Sequence, residues 1–144
     1  MRRLIVGIGS PHGADQIGWS VVEQLQKRHR ISAECRNVVK PVDLLDLLGD
    51  FEELIVIDAV QGMSGDLTKR WSWPSDQLKD ALSSGTHGFG LIQVLELAQE
   101  LRLLPVCVTI IGVSVENCSA VAGLLPTFDD SLAKVIKGVE ALYA

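Results

Sequence analysis

Residues 53–58 read Glu53-Leu-Ile-Val-Ile-Asp58, an unbroken apolar run bounded by two carboxylates. A half-buried strand alternates apolar and polar positions, whereas a strand covered on both faces does not need to. The run therefore predicts a central strand with layers on both sides, ending at Asp58. Residues 3–8 (RLIVGI) and 105–113 (PVCVTIIGV) have the same character. Between them, Ile17, Val21, Val22 and Leu25 recur at helical spacing and put one apolar face on a helix over 17–28. Helices are also expected over 89–102 and 128–143, with Asp129 and Asp130 suited to the first turn of the last one. Residues 33–39 predict a second strand. Asp43 to Leu48 predicts a short amphipathic helix closed by Gly49. Residues 66–73 (DLTKRWSW) alternate like a more exposed strand, with Trp71 and Trp73 on one face, covering the sheet edge or forming a client or self-association patch. Continuous strands separated by helices predict an α/β fold. Its expected form is a three-layer α/β/α arrangement with a mostly parallel central sheet of about five strands and helices on both faces.

The chain has 144 residues, which suits one domain spanning 1–144. Its 47% apolar and 22% charged content is that of a globular chain. A formal net charge of −5 opposes a nucleic-acid partner, since phosphate tracking needs a basic surface. The one basic cluster, Lys27-Arg28-His29-Arg30, suits a helix C-terminus. The apolar stretch after Met1-Arg2-Arg3 is too short for a signal peptide. The segment from Leu103 to Val115 contains Pro105 and is too short to span a bilayer. Cys35, Cys107 and Cys118 show no CxxC spacing, which suits a reducing compartment; Cys107 is expected to be buried in its strand. A soluble cytoplasmic protein without a membrane partner is the expectation.

Parallel sheets bind ligands outside the carboxyl ends of their strands. Three segments fall there: the loop 9–16, Asp58, and the stretch after Val113. The loop opens as Gly7-Ile-Gly-Ser-Pro-His-Gly-Ala-Asp15, close in spacing to a dinucleotide fingerprint. The acidic residue expected at the end of the second strand is missing, its place held by Val38, Val39 and Lys40. Asp15 would repel a pyrophosphate, so the loop is read as a bracket for a cation. Asp15 also suits a helix N-cap, Asp58 a carboxylate satisfied by backbone N–H groups, and His87 a helix-start residue. Together, two carboxylates and one imidazole make a three-ligand site for zinc, nickel or manganese, with positions left open for water or substrate. His12 is a substitute ligand candidate with surface exposure as its simpler reading.

At these positions the chain resembles the hydrogenase maturation endopeptidases, which trim the large subunit of nickel–iron hydrogenases. The resemblance runs through Gly7-Ile-Gly-Ser10, Gly13-Ala-Asp15-Gln-Ile-Gly18, Leu54-Ile-Val-Ile-Asp58-Ala59 and Thr86-His87-Gly-Phe-Gly-Leu91. It continues through Val108 to Val113, Val115-Glu116 and Gly123-Leu-Leu-Pro126. It departs at Ser10, at Gln16 and at Val38-Val-Lys-Pro41, which replaces a Gly-Gly-Thr loop. The resemblance implies an endopeptidase that removes the C-terminal extension of the nickel-loaded large-subunit precursor. It implies Asp15, Asp58 and His87 as catalytic and metal-binding residues, with Glu116 nearby. The nickel would be supplied by the precursor, and another divalent metal could substitute. Asp15 is the preferred base and His87 the next candidate. A monomer or weak dimer is expected. The alternatives are a non-catalytic nickel-binding or chaperone-like relative, and behind it a nucleotide-binding domain.

Overall fold

The computed structural model describes residues 2–9, 16–60, 67–82, 86–114 and 130–143, with side chains described at all of these except 82, 86–89, 130 and 131. Strand β1 (Arg3–Ile8) leads to helix α1 (Gln16–Arg28) and strand β2 (Glu34–Val38). A 3-10 helix at Pro41–Asp46 precedes β3 (Glu53–Val60) and β4 (Thr68–Ser72). Helices α2 (Asp76–Leu82) and α3 (Thr86–Glu100), strand β5 (Cys107–Ser114) and helix α4 (Asp130–Tyr143) complete the order.

The five strands lie in the order β2-β1-β3-β5-β4. β1, β2, β3 and β5 are parallel, and β4 joins β5 antiparallel at one edge. The apolar run 54–57 takes the centre of the sheet, as its lack of alternation requires. Leu54 and Val56 project to one face, where they pack with Leu91 and Leu95 of α3, Leu78 of α2 and Leu44 of the 3-10 helix. Ile55 and Ile57 project to the other, against Val21 and Leu25 of α1 and Val135 and Val139 of α4. Each such side chain, fully buried, contributes about 1.5–3 kcal/mol relative to exposure. The expected fold class is observed.

The opening glycines serve packing. A Cβ on Gly18, in the first turn of α1, would lie 2.6 Å from the Ile8 carbonyl oxygen and 2.8 Å from that of Ile57. A Cβ on Gly7 would lie 2.7 Å from the Gly18 oxygen. Two residues without side chains let α1 rest its backbone directly on β1 and β3. Trp19 then donates its indole N–H to the Val38 carbonyl at 3.0 Å, which also accepts the Gly9 N–H at 3.0 Å. This ties the carboxyl end of β2 to both sides of the loop that follows β1.

Several sequence expectations need correction. The helix expected over 43–48 is a 3-10 helix that begins at Pro41, and Gly49 (φ +129°) lies beyond its cap at Leu47. β3 does not end at Asp58 but continues to Val60. β4 is shorter than 66–73, and Trp71 is buried at 4% exposure while Trp73 lies past the strand end. Cys107 is exposed, because it is the first residue of β5 at the open amino edge. Helix α2 was not anticipated, although Ser75 before Asp76 is a cap signal: the Leu78 N–H donates to Ser75 Oγ at 3.2 Å. Among the described residues no helix is long and apolar enough to cross a membrane.

Candidate active site at the carboxyl edge of the sheet

Asp58 lies in register with Gly112 of β5 and is 6% exposed. It stands two residues beyond Val56, so its side chain rises on the face that carries α2 and α3. Ser114, two residues past Gly112 and fully buried, stands on the same face. Ser114 also fastens β4, because its N–H donates to the Leu67 carbonyl at 2.9 Å. Sequence reasoning passed over Ser114; the signal was a small polar residue closing an apolar run. Burying a carboxylate is costly unless compensated, so a strand interior rarely carries one at this depth without a task.

His87 falls in the first turn of α3, not in a loop ahead of it, because the helix begins at Thr86. From Glu100 the chain leads through 101–106 to the amino end of β5. The helix therefore runs against the strand and brings its first turn to the carboxyl edge. One contact fixes this end: a Cβ on Gly90 would lie 3.4 Å from Cγ of Pro41, which follows the carboxyl end of β2. Asp15 lies outside the described residues, as do His12, Glu116 and Cys118. Gln16, the next residue after Asp15, begins α1. Gly18 in that first turn abuts the carbonyl of Ile57, the residue before Asp58. The start of α1, the end of β3 and the start of α3 thus share one edge. Among the described residues no group of three His, Cys, Asp or Glu side chains could hold a metal ion; of the predicted three, only Asp58 has a described side chain.

The opposite edge is chemically different. A cleft of about 480 Å³ there is lined by Arg2, Arg3, Glu34, Arg36 and Phe51 among others. Its arginines are engaged by neighbours. Arg3 pairs with Glu53 at 2.6 Å, Arg36 with Glu34 at 3.1 Å, and Arg2 stacks over Phe51 at 4.8 Å. Such a neutralised cleft has little charge to offer an anion. Cys35 also lines it, and burial pushes its thiol pKa up against the lowering influence of Arg36.

Residues 19–142 match the sequence model of the family HycI, hydrogenase maturation protease. The chain belongs to the hydrogenase maturation protease family. It is accordingly a hydrolase, of a family that processes the hydrogenase large subunit. No curated protein sequence matches it. Solved structures of maturation endopeptidases share the fold. The chain is similar to an endopeptidase from Escherichia coli solved in solution, with 21% identity, a TM-score of 0.74 and coverage of 96% of this chain and 90% of that one. The hydrogenase maturating endopeptidase HybD from E. coli gives 19% identity and a TM-score of 0.72, covering 99% and 91%. The [NiFe] hydrogenase maturation protease HybD from Thermococcus kodakarensis gives 19% identity and 0.72, covering all of both chains. In this maturation protease Gly7, the first glycine of the dinucleotide-like spacing, is accounted for by helix-to-sheet packing against Gly18.

Proposed function

We propose that this maturation protease removes the C-terminal extension of a nickel-loaded large-subunit precursor. Asp15, Asp58 and His87 would take the nickel that the substrate carries. The observation that supports this most is Asp58, a carboxylate buried at the carboxyl edge. Around it lie the start of α3, which carries His87, and the start of α1, which follows Asp15. Two carboxylates and an imidazole form a donor set that suits nickel. Capture through a metal would orient one peptide bond of the precursor and turn a diffuse encounter into a positioned one. It would also discriminate against precursor without metal, because that substrate lacks the group being recognised. Water activated by the metal, or Asp15 acting as general base with His87 as the next candidate, would supply the attack on the bond. The turn after β2 presents Val39 and Val42, each 51% exposed, beside Lys40. This mixed apolar and cationic surface adjoins the first turns of α3 and suits contact with the client chain.

The test is incubation with nickel(II)-loaded precursor, followed by mass spectrometry for loss of the extension. Asp15→Ala, Asp58→Ala and His87→Ala should each abolish processing while circular dichroism stays that of the parent. A His87→Ala protein that cuts at the normal rate would rule out capture through the three ligands. Intact precursor after incubation with the parent protein would rule out the client itself.

A further inference from the structure

We infer that the outer edge of β4 is a docking strand for an extended acidic segment of the client, which adds to the sheet there and leads on to the carboxyl edge. That the segment belongs to the precursor rests on the function proposed above; the form of the edge does not. β4 is the last strand of the sheet and is joined to β5. The Trp73 N–H donates to the Val108 carbonyl, and the Leu67 carbonyl accepts the Ser114 N–H, each at 2.9 Å. In an antiparallel pair alternate residues turn both backbone groups toward the same neighbour. Leu67, Lys69, Trp71 and Trp73 therefore face β5, and Thr68, Arg70 and Ser72 turn their N–H and C=O groups outward. Among the described residues nothing pairs with these outward groups. Thr68, Arg70 and Ser72 are all exposed. Pro74, next in the outward series, has no N–H to offer, so the donors of this edge end at Ser72.

The side chains select the occupant. Lys69 and Arg70 are exposed, and neither makes an ion pair among the described residues. Being consecutive in a strand, they stand on opposite faces of the sheet. The edge at β2 differs, because its Arg36 is already paired with Glu34 at 3.1 Å. A second copy of the chain is a poor fit to β4. Two such edges paired antiparallel about Arg70 would set one guanidinium opposite the other, and like charges directly opposite are destabilising. A strand with acids at two consecutive positions fits both faces at once, one carboxylate meeting Arg70 and the next Lys69. Main-chain hydrogen bonds to the edge then give affinity, and the two cations give selectivity. The candidate site is within reach of this strand. Lys69 shares a row with Gly112 and Asp58, so an added strand lies about 14 Å from β3. Roughly four or five extended residues span that distance. A segment held on β4 therefore presents its continuation to the carboxyl edge, where the proposed cleavage takes place.

The probe is a fluorescein-labelled heptapeptide of threonine and valine with two consecutive glutamates at its centre, titrated with the full chain by fluorescence anisotropy. The parent should bind it, and Arg70→Glu or Lys69→Glu should each weaken binding by about fivefold or more. The same peptide with lysines in place of its glutamates should bind the double reversal better than the parent. N-methylation of one alternate set of peptide nitrogens should abolish binding, and methylation of the other set should leave it unchanged, a distinction to which a purely ionic contact is blind. Thr68→Pro removes an outward N–H without touching the ladder to β5 and should weaken binding in the same way. If that variant does not fold, the methylated peptides carry the same test. In precursor processing Arg70→Glu should raise KM by about fivefold with kcat little changed. No peptide binding, binding indifferent to which nitrogens are methylated, or a dimer in light scattering that Thr68→Pro dissolves would overturn the docking strand. Asp58→Ala should bind the peptide like the parent. Peptide binding beside a nickel-loaded precursor that the parent leaves intact would count against the proposed cleavage alone and leave the edge standing as an acidic-peptide site.

Discussion

Glu140 and Asp58 are equally buried, each 6% exposed, and stand on opposite faces of the sheet. Glu140, on α4, receives the Arg28 guanidinium of α1 at 2.8 Å, and the pair staples two helices on one face of the sheet. Asp58, on the other face, shares one row across the sheet with Gly112 and Lys69. A carboxylate that serves the fold is given a counter-ion from within the chain. The Asp58 carboxylate stands instead at the carboxyl edge, where parallel sheets bind ligands. Burial alone would not tell the two apart; their place relative to the carboxyl edge of the sheet does.

The widest separation between them should appear in activity. Asp58→Ala is expected to reduce precursor processing by about a thousandfold or more, since a misplaced reacting group alone costs on the order of a hundredfold. Arg28→Met should leave the rate unchanged, and the mass shift of the precursor measures both. A large effect on stability is expected where the carboxyl edge is assembled. Gly18→Ala puts a Cβ 2.6 Å and 2.8 Å from two backbone oxygens that have no room to retreat, and should destabilise by about 2–3 kcal/mol in urea unfolding. Arg28→Met comes next. It strands the buried Glu140, but the guanidinium side chain is itself 34% exposed, so the loss should be about 1–2 kcal/mol. Glu140→Leu added to it should recover most of that loss, whereas no second-site change in a helix should rescue Asp58→Ala. The smallest effect lies at the amino edge. Burial raises the Cys35 thiol pKa, so less thiolate is present at pH 8. Iodoacetamide should therefore label the exposed Cys107 a few times faster, as peptide mass spectrometry would show.

Much of the architecture was legible because its signals are local. Four consecutive apolar residues in 54–57 require cover on both faces, and the periodicity of Ile17, Val21, Val22 and Leu25 matches the buried face of α1. The misreadings arose where local pattern and tertiary context disagree. The tryptophans at 71 and 73 alternate like residues of an exposed strand, yet Trp71 is drawn into the core because Gly112 offers it a slot. Cys107 belongs to an apolar segment, yet it opens a strand at the rim and is exposed. The seven residues of α2 are too few for periodicity to stand out.

Sequence alone determined the layered parallel sheet, the family, and a carboxylate, Asp58, near the carboxyl edge of the sheet. These depend on residue order and on the period of apolar positions, which need no knowledge of neighbours. Only the tertiary structure decided that Gly7 and Gly18 pack a helix onto two strands, that Asp58 lies within β3 and not at its end, and that Trp71 and Val60 close over Gly112. Those facts depend on which strands become neighbours and in what register, and contacts between residues some forty to fifty positions apart leave no periodic trace in the chain.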